Sequence, residues 1–329
     1  MKVLITPIQL TGLQGEFLKV LQDARFDTVF TTRTAQLTEE QVLEDLPGCA
    51  AVLAGSEPYT RRVIASMPDL RVIARAGVGY DAVDVAAATD HGVVVTTTPG
   101  ANQDAVAEHA MAFILAFAKD LVVKNQALKA GRWPREPNLP VREQTLGIVG
   151  LGRIGKSIAV RAAAFGMRLL ACEIAPDRAF IEAHGIRLVS FEKLLAEADF
   201  VSMHVPLTPL TRRMFNRESL ALMKPSAFLI NTSRGGVIDE EALLQALKAG
   251  RVAGAALDVF AREPTGNNPL LELDNVIATP HTAGVDFRSR DEMALRAARS
   301  IVRLLRGEWP AEQVVNPDVK ALFEKRRGL

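Results

Sequence analysis

The sequence predicts two α/β domains, each a parallel sheet with helices on both faces, and three observations carry that prediction. Short β-branched runs alternate with longer helical patterns along the whole chain. One proline-rich stretch interrupts the alternation near the middle, and a glycine fingerprint follows the first strand of the second series. At 329 residues the chain exceeds one core of ordinary size and suffices for two.

The first strand series is expected at residues 3–6, 28–31, 51–55, 71–74 and 93–96. Pro99-Gly100-Ala101-Asn102 is a turn and capping signal, and a helix is expected from about 104 to 130. Its start is apolar nearly all round, so it should be buried, with a neighbouring subunit as one way of covering it. Residues 133–140 carry Pro134, Pro137 and Pro140 and can only connect. Trp133 at their head reads either as a surface anchor or as a side chain reaching a neighbouring subunit's site. The second series is expected at 145–149, 168–171, 200–204, 227–231, 254–259 and 275–279. A helix over about 288–306 should return to the first domain, so the domains are expected at 1–98 plus 285–329 and at 99–284.

Composition narrows the partners. Hydrophobic residues make up 48% and the formal net charge is +1, so no global field draws nucleic acid or an anionic membrane, and a small molecule is the expected partner. Cys49 and Cys172 fall in different domains without metal-like spacing, which points to neither a disulfide framework nor a metal site and fits a reducing cytoplasm. Met1 leads directly into a strand-like run, and no apolar stretch nears the roughly 20 residues that cross a bilayer.

Gly150, Gly152 and Gly155 form Gly-x-Gly-x-x-Gly directly after an apolar strand, with Arg153 and Ile154 opening the next helix. Glycines there permit a tight turn and close approach of a pyrophosphate to the helix N-terminus. An acidic residue is expected about 20 positions on to accept from the adenosine ribose, and Glu173 ends the next strand, 18 residues past Gly155. A carboxylate there repels the extra phosphate of NADP, so the cofactor reads as NAD. The plainer alternative is a solvated loop carboxylate.

Arg234, Glu263 and His281 each follow a strand of the second series, where ligands of parallel sheets bind. The Arg234 fork suits a carboxylate or keto-acid oxygen. Reducing a ketone by hydride needs a proton for the developing alkoxide, and an imidazolium supplies it near neutral pH. His281 would be that acid, with Glu263 stabilising the protonated ring and fixing its orientation. Singly, each reads as an ordinary loop residue; it is their joint placement that points to catalysis.

These residues resemble the D-isomer-specific 2-hydroxyacid dehydrogenase family over nearly the whole chain. The resemblance rests on Asn231-Thr232-Ser233-Arg234-Gly235-Gly236-Val237-Ile238-Asp239, on Ala255-Ala256-Leu257-Asp258-Val259-Phe260 and on Thr279-Pro280-His281. It implies two Rossmann-like domains, a flavodoxin-like substrate domain and a doubly wound NAD-binding domain, in a homodimer. It also implies that Arg234 binds the substrate carboxylate and carbonyl, that His281 is the acid/base with Glu263 as partner, and that Asp258 holds the nicotinamide carboxamide. Arg75, Ala76, Gly77, Val78 and Gly79 are similar to the loop whose N–H groups cradle the substrate carboxylate. Val106, His204, Val205, Pro206, Thr211, Thr232, Ser233 and Gly284 match cofactor-side segments. Ala105 stands where a serine is usual and Glu173 where an aspartate is.

The implied substrate is a small anionic 2-hydroxy or 2-keto acid, of the 3-phosphoglycerate or hydroxypyruvate/glyoxylate type. The family's phosphoglycerate enzymes tend to carry an arginine after the third strand, where this chain has Ala54-Gly55-Ser56-Glu57-Pro58, whereas Arg75 matches a substrate-side arginine of theirs. No further domain follows Leu329, which implies simple or absent feedback control. Within the family, formate enzymes usually replace the glutamate partner by glutamine, which Glu263 counts against. A non-catalytic NAD-sensing interaction protein keeps the same residues and is the alternative function. His91, His184 and His109 read as turn, helix-end and helix-packing residues.

Overall fold

The structure is a computed structural model and describes residues 1–327. The chain divides into two compact units, Met1–Asn102 with the segment from Val285 onwards, and Gln103–Gly284.

The first unit holds β1 (Lys2–Ile5), β2 (Asp27–Phe30), β3 (Cys49–Ala54), β4 (Val72–Arg75) and β5 (Val94–Thr96), all parallel, in the order β2-β1-β3-β4-β5. Successive side chains leave a strand on opposite faces. Val3, Ile5, Ala51, Leu53, Val72 and Ala74 therefore enter one core, and Leu4, Val52, Ala54 and Ile73 the other. Because both faces are covered, the strands read as continuous apolar runs.

The helix Phe287–Arg306 completes the first of those cores. Asp286 accepts from the Ser289 N–H at 2.6 Å to start it, and Gly307, at φ 96, ends it. Its Ala294, Ala298, Ile301 and Leu304 pack with Phe17, Leu18 and Leu21 of the helix Glu16–Asp23.

The second unit holds β6 (Thr145–Val149), β7 (Arg168–Cys172), β8 (Arg187–Leu188), β9 (Phe200–Met203), β10 (Phe228–Asn231), β11 (Gly254–Leu257) and β12 (Val276–Ala278). Their order is β12-β11-β10-β9-β6-β7-β8, again all parallel. The chain leaves β6 in one direction through β7 and β8, then returns to β9 and continues the other way. This is the doubly wound arrangement, and the crevice at the carboxyl ends of β6 and β9 is its switch point.

Two details differ from expectation. The single helix over 104–130 is two, Gln103–Ala118 and Leu121–Lys129, because Asp120 takes a left-handed φ of 49 between them. The first is buried along Ala107, Ala110, Met111 and Ile114, while the second exposes Leu121, Val122, Val123 and Leu128. Strand β8 was not expected; it is a two-residue edge with both side chains exposed, so it carries no hydrophobic period.

Candidate active site

The glycine loop forms where β6 gives way to the helix Arg153–Ala164. Gly150 has φ 93, and a Cβ there would lie 2.7 Å from the His204 carbonyl oxygen. A Cβ on Gly155 would lie 2.1 Å from the Gly150 carbonyl oxygen, so only glycine lets the helix pack this close to the turn. Gly152 sits at the helix N-cap without a side-chain cap and faces open space. Uncapped N–H groups at the positive end of a helix are an anion site. Arg153 is exposed and Ile154 half-buried in its first turn.

Glu173 stands just after β7 and turns back onto this loop. Its Oε2 accepts from the Leu151 N–H at 2.6 Å and its Oε1 from Ala175 N–H at 2.9 Å. After β9, His204 Nε2 lies 2.9 Å from Ser202 Oγ. The segment beyond, Val205 and Pro206, is tied by Thr211, whose hydroxyl donates 2.5 Å to the Pro206 carbonyl. Burial pushes the His204 imidazole down to about 3. Its Nδ1 and the Thr232 hydroxyl are buried without a hydrogen-bond partner among the described residues. Orphaned polar atoms beside a glycine cradle fit a polar dinucleotide that would satisfy them.

Arg234 follows β10, held by an Asn231 side chain that donates to its carbonyl at 2.9 Å and accepts from Ser233 N–H at 3.0 Å. Its Nη1 donates to the Ser233 carbonyl at 2.6 Å. The next residue, Gly235, packs so closely on the Phe260 backbone that a Cβ would lie 1.8 Å from the Phe260 carbonyl carbon. That contact joins the arginine turn to the loop carrying Glu263. Glu263 Oε1 accepts from Phe260 N–H at 2.9 Å, and Oε2 lies 2.6 Å from His281 Nδ1. Burial raises the Glu263 carboxyl, but the hydrogen bond and charge of His281, the Phe260 N–H and the Arg234 charge together hold it below the usual glutamate range.

Asp258 follows β11 and is 1% exposed. Its carbonyl accepts from His281 N–H at 2.8 Å. Its Oδ1 takes the Thr279 hydroxyl at 2.5 Å and Thr282 N–H at 2.8 Å, and Oδ2 takes Ala283 N–H at 2.9 Å. His281 has a left-handed φ of 54. Thus one buried carboxylate brackets the strained residue on both sides.

In the first unit, Arg75 ends β4 and donates from Nε to the Gly79 carbonyl at 3.1 Å. Thr98 N–H donates to the Gly77 carbonyl at 2.9 Å from the other side. The N–H groups of Gly77, Val78 and Gly79 donate to no other group among the described residues. After β3, Glu57 is buried, with Oε1 accepting from the Thr6 hydroxyl, Gly55 N–H and the Tyr59 phenol. Burial, then the Glu57 charge, holds the Tyr59 phenol far above its usual range, so it remains a donor.

Residues 111–283 match the model of the D-isomer specific 2-hydroxyacid dehydrogenase NAD binding domain. The chain belongs to that family. A glyoxylate reductase of Korarchaeum cryptofilum is 41% identical over 86% of this chain and 87% of its own. A D-3-phosphoglycerate dehydrogenase of Methanocaldococcus jannaschii is 41% identical over 96% of this chain, but the chain spans only 59% of that relative's length. Among solved structures, D-lactate dehydrogenase of Aquifex aeolicus complexed with NAD and lactic acid superposes with a TM-score of 0.85 at 28% identity, covering 95% of this chain and 99% of that one. Family membership makes the second unit a NAD binding domain, and its glycine cradle and orphaned hydroxyl fit that group.

Within this family member the structure brings Arg234, Glu263 and His281 to neighbouring strand ends, and it gathers Gly150, Gly152, the helical Gly155 and, through Leu151 N–H, Glu173 around one turn. Val106 lies buried in the helix Gln103–Ala118, and Gly284 closes the second unit. Sequence reasoning missed two arrangements. Glu57 stood out only as the lack of an arginine, since nothing in its neighbours announces Thr6 and Tyr59 as partners. His109 packs within its helix on Phe113, as expected of a helix-packing residue, but nothing in its neighbours announces that its hydrogen bond goes to Thr279. Among the described residues no helix is long and apolar enough to cross a membrane, and no group of three acidic, histidine or cysteine side chains could hold a metal.

Proposed function

We propose that this protein interconverts a small D-2-hydroxy acid and its 2-keto acid, using NAD. The observation that carries the reading is the 2.6 Å pairing of His281 with Glu263, with Arg234 near enough for its charge to act on the same carboxylate. When bound, the nicotinamide supplies or takes the hydride. In the second unit Arg234 holds the carboxylate and carbonyl oxygen of the acid. In the first unit the N–H groups of Gly77, Val78 and Gly79, with Arg75 and Ala76 shaping the loop, form a nest suited to a carboxylate. With Nδ1 engaged by Glu263, His281 has Nε2 to deliver a proton to the forming alkoxide, and it takes that proton back in the oxidation. Asp258 Oδ2 retains one acceptor position for the nicotinamide carboxamide.

The substrate is proposed to be unphosphorylated, of the glyoxylate or hydroxypyruvate size. Glu57 follows β3, where the family's phosphoglycerate enzymes tend to carry an arginine, and so supplies a carboxylate in place of that cation. A second anionic group on the substrate would meet that charge. The exposed apolar side chains of Leu121–Lys129 support a homodimer with this helix in its interface. Free Cys49 and Cys172 are compatible with the cytoplasm.

The test is NADH oxidation against glyoxylate, hydroxypyruvate, 2-ketoglutarate and 3-phosphohydroxypyruvate, with the best acid repeated with NADPH. Turnover of an unphosphorylated keto acid is expected. NADH binding without turnover on any acid overturns the reading and favours a sensor.

A further inference from the structure

His109 lies on the helix Gln103–Ala118, some 170 residues before the loop that holds His281, yet its Nε2 is 3.0 Å from Thr279 Oγ1. Its ring meets Phe113 edge to face, centroids 4.6 Å apart and planes at 89°, which sets the direction of the nitrogen. Thr279 stands two residues before His281. A threonine hydroxyl has one hydrogen. Here that hydrogen goes to Asp258 Oδ1 at 2.5 Å, so towards His109 the oxygen can only accept, and Nε2 must carry the hydrogen. The direction of the whole chain is therefore determined: His109 donates to Thr279, and Thr279 donates to Asp258.

Asp258 then holds the turn. It takes the N–H groups of His281, Thr282 and Ala283 at 2.8, 2.8 and 2.9 Å. His281 sits inside these bonds at φ 54, a conformation that a residue with a Cβ keeps only where its surroundings over-determine it. Releasing one end of the chain lets the Thr279 hydroxyl rotate, and the carboxylate loses its fixed donor. The imidazole then samples positions away from the one that Glu263 holds.

We propose that His109 is a positioning residue for the reaction, acting through Thr279 and Asp258 to hold the turn that presents His281. This rests on the reading of His281 as the proton donor. Packing against Phe113 alone would be served as well by an apolar side chain, whereas the proposed role needs an N–H.

Steady-state kinetics on the best keto acid decides it, with NADH affinity and Tm measured on the same samples. His109→Met, close in size to glutamine but without a donor, should lower kcat about three- to tenfold, the scale of one lost buried hydrogen bond. KM and NADH affinity should change less than about twofold. His109→Gln, which retains an N–H, should recover most of the loss. Thr279→Val should cost at least as much as His109→Met, and the double variant should be no worse than Thr279→Val alone, because one chain breaks once. Equal kcat for Gln and Met, or losses that multiply in the double variant, overturns the proposal. If His109→Met does not fold, Thr279→Ser against Thr279→Val in the His109→Gln background makes the same decision: kcat should survive serine and fall with valine, and equal values overturn it. A wild-type protein that reduces no keto acid while binding NADH overturns the underlying reaction instead, a result these variants do not imitate.

Discussion

Leu151 N–H donates to Glu173 Oε2 at 2.6 Å, so the carboxylate expected to select the cofactor also braces the loop that cradles it. The same side chain thereby links β7 to the turn after β6. Its two tasks predict two separable effects.

Glu173→Ala removes both the brace and the negative charge beside the ribose position. The preference for NADH over NADPH, as a ratio of kcat/KM values, should fall by about tenfold or more, with a smaller loss in NADH affinity. An unchanged ratio sinks the assignment.

The His281–Glu263 pair predicts a rate and a pH effect. His281→Ala should lower kcat by about a hundredfold or more and leave NADH affinity nearly intact. The Glu263 carboxyl lies below its usual range in the fold, so its stabilisation is fully present above the ordinary glutamate value of about 4.3 and is lost as pH falls through the lower folded value. The stability gap between the wild type and Glu263→Gln should thus be constant above about pH 6 and close below about pH 4. Overlapping pH profiles contradict the pairing.

His204 predicts a loss of stability on acidification of the same sign, over a higher pH window. Held down to about 3 by burial, it takes a proton less readily than in the unfolded chain, so stability is full above about pH 6.5 and erodes towards pH 3. The erosion is at most about 1.4 kcal/mol per pH unit from this one group. Urea unfolding of His204→Asn between pH 4 and 7 should show a flatter curve than the wild type, and parallel curves refute the buried neutral ring.

Glu57→Gln tests the proposed substrate. The variant preserves an acceptor for Thr6, Gly55 and Tyr59 but removes the charge. The ratio of kcat/KM for hydroxypyruvate over 3-phosphohydroxypyruvate should shift about tenfold towards the phosphorylated acid. If both fall together, Glu57 only braces the loop.

Gly235→Ala addresses how the catalytic loops are joined. With 1.8 Å between the new Cβ and the Phe260 carbonyl carbon, the backbone must separate, carrying Arg234 away from Glu263. We expect about 3 kcal/mol or more of lost stability and a severe loss of kcat. A variant of wild-type Tm and rate rules out that contact.

What the chain states locally could be read from the sequence. The strand runs, the Pro99–Asn102 turn signal and the glycine spacing before the helix Arg153–Ala164 are all written in neighbouring residues, because turns, caps and periodicity depend on a few adjacent side chains. Arg234, Glu263 and His281 could be singled out because each follows a strand, and in a parallel sheet all strand ends face one edge. The resemblance to the family then supplied their roles.

Contacts between distant segments were decided by tertiary structure alone. Strand β8 and the break at Asp120 have no periodic signal, since one is an exposed edge and the other a single backbone angle. Thr6, Glu57 and Tyr59 meet because β1 and β3 are neighbours in the sheet, and His109 meets Thr279 because the helix Gln103–Ala118 packs on the second sheet. Local sequence dictates which elements form; which side chains share a hydrogen bond depends on how those elements are ordered and packed, and that order is set by the burial of all of them at once.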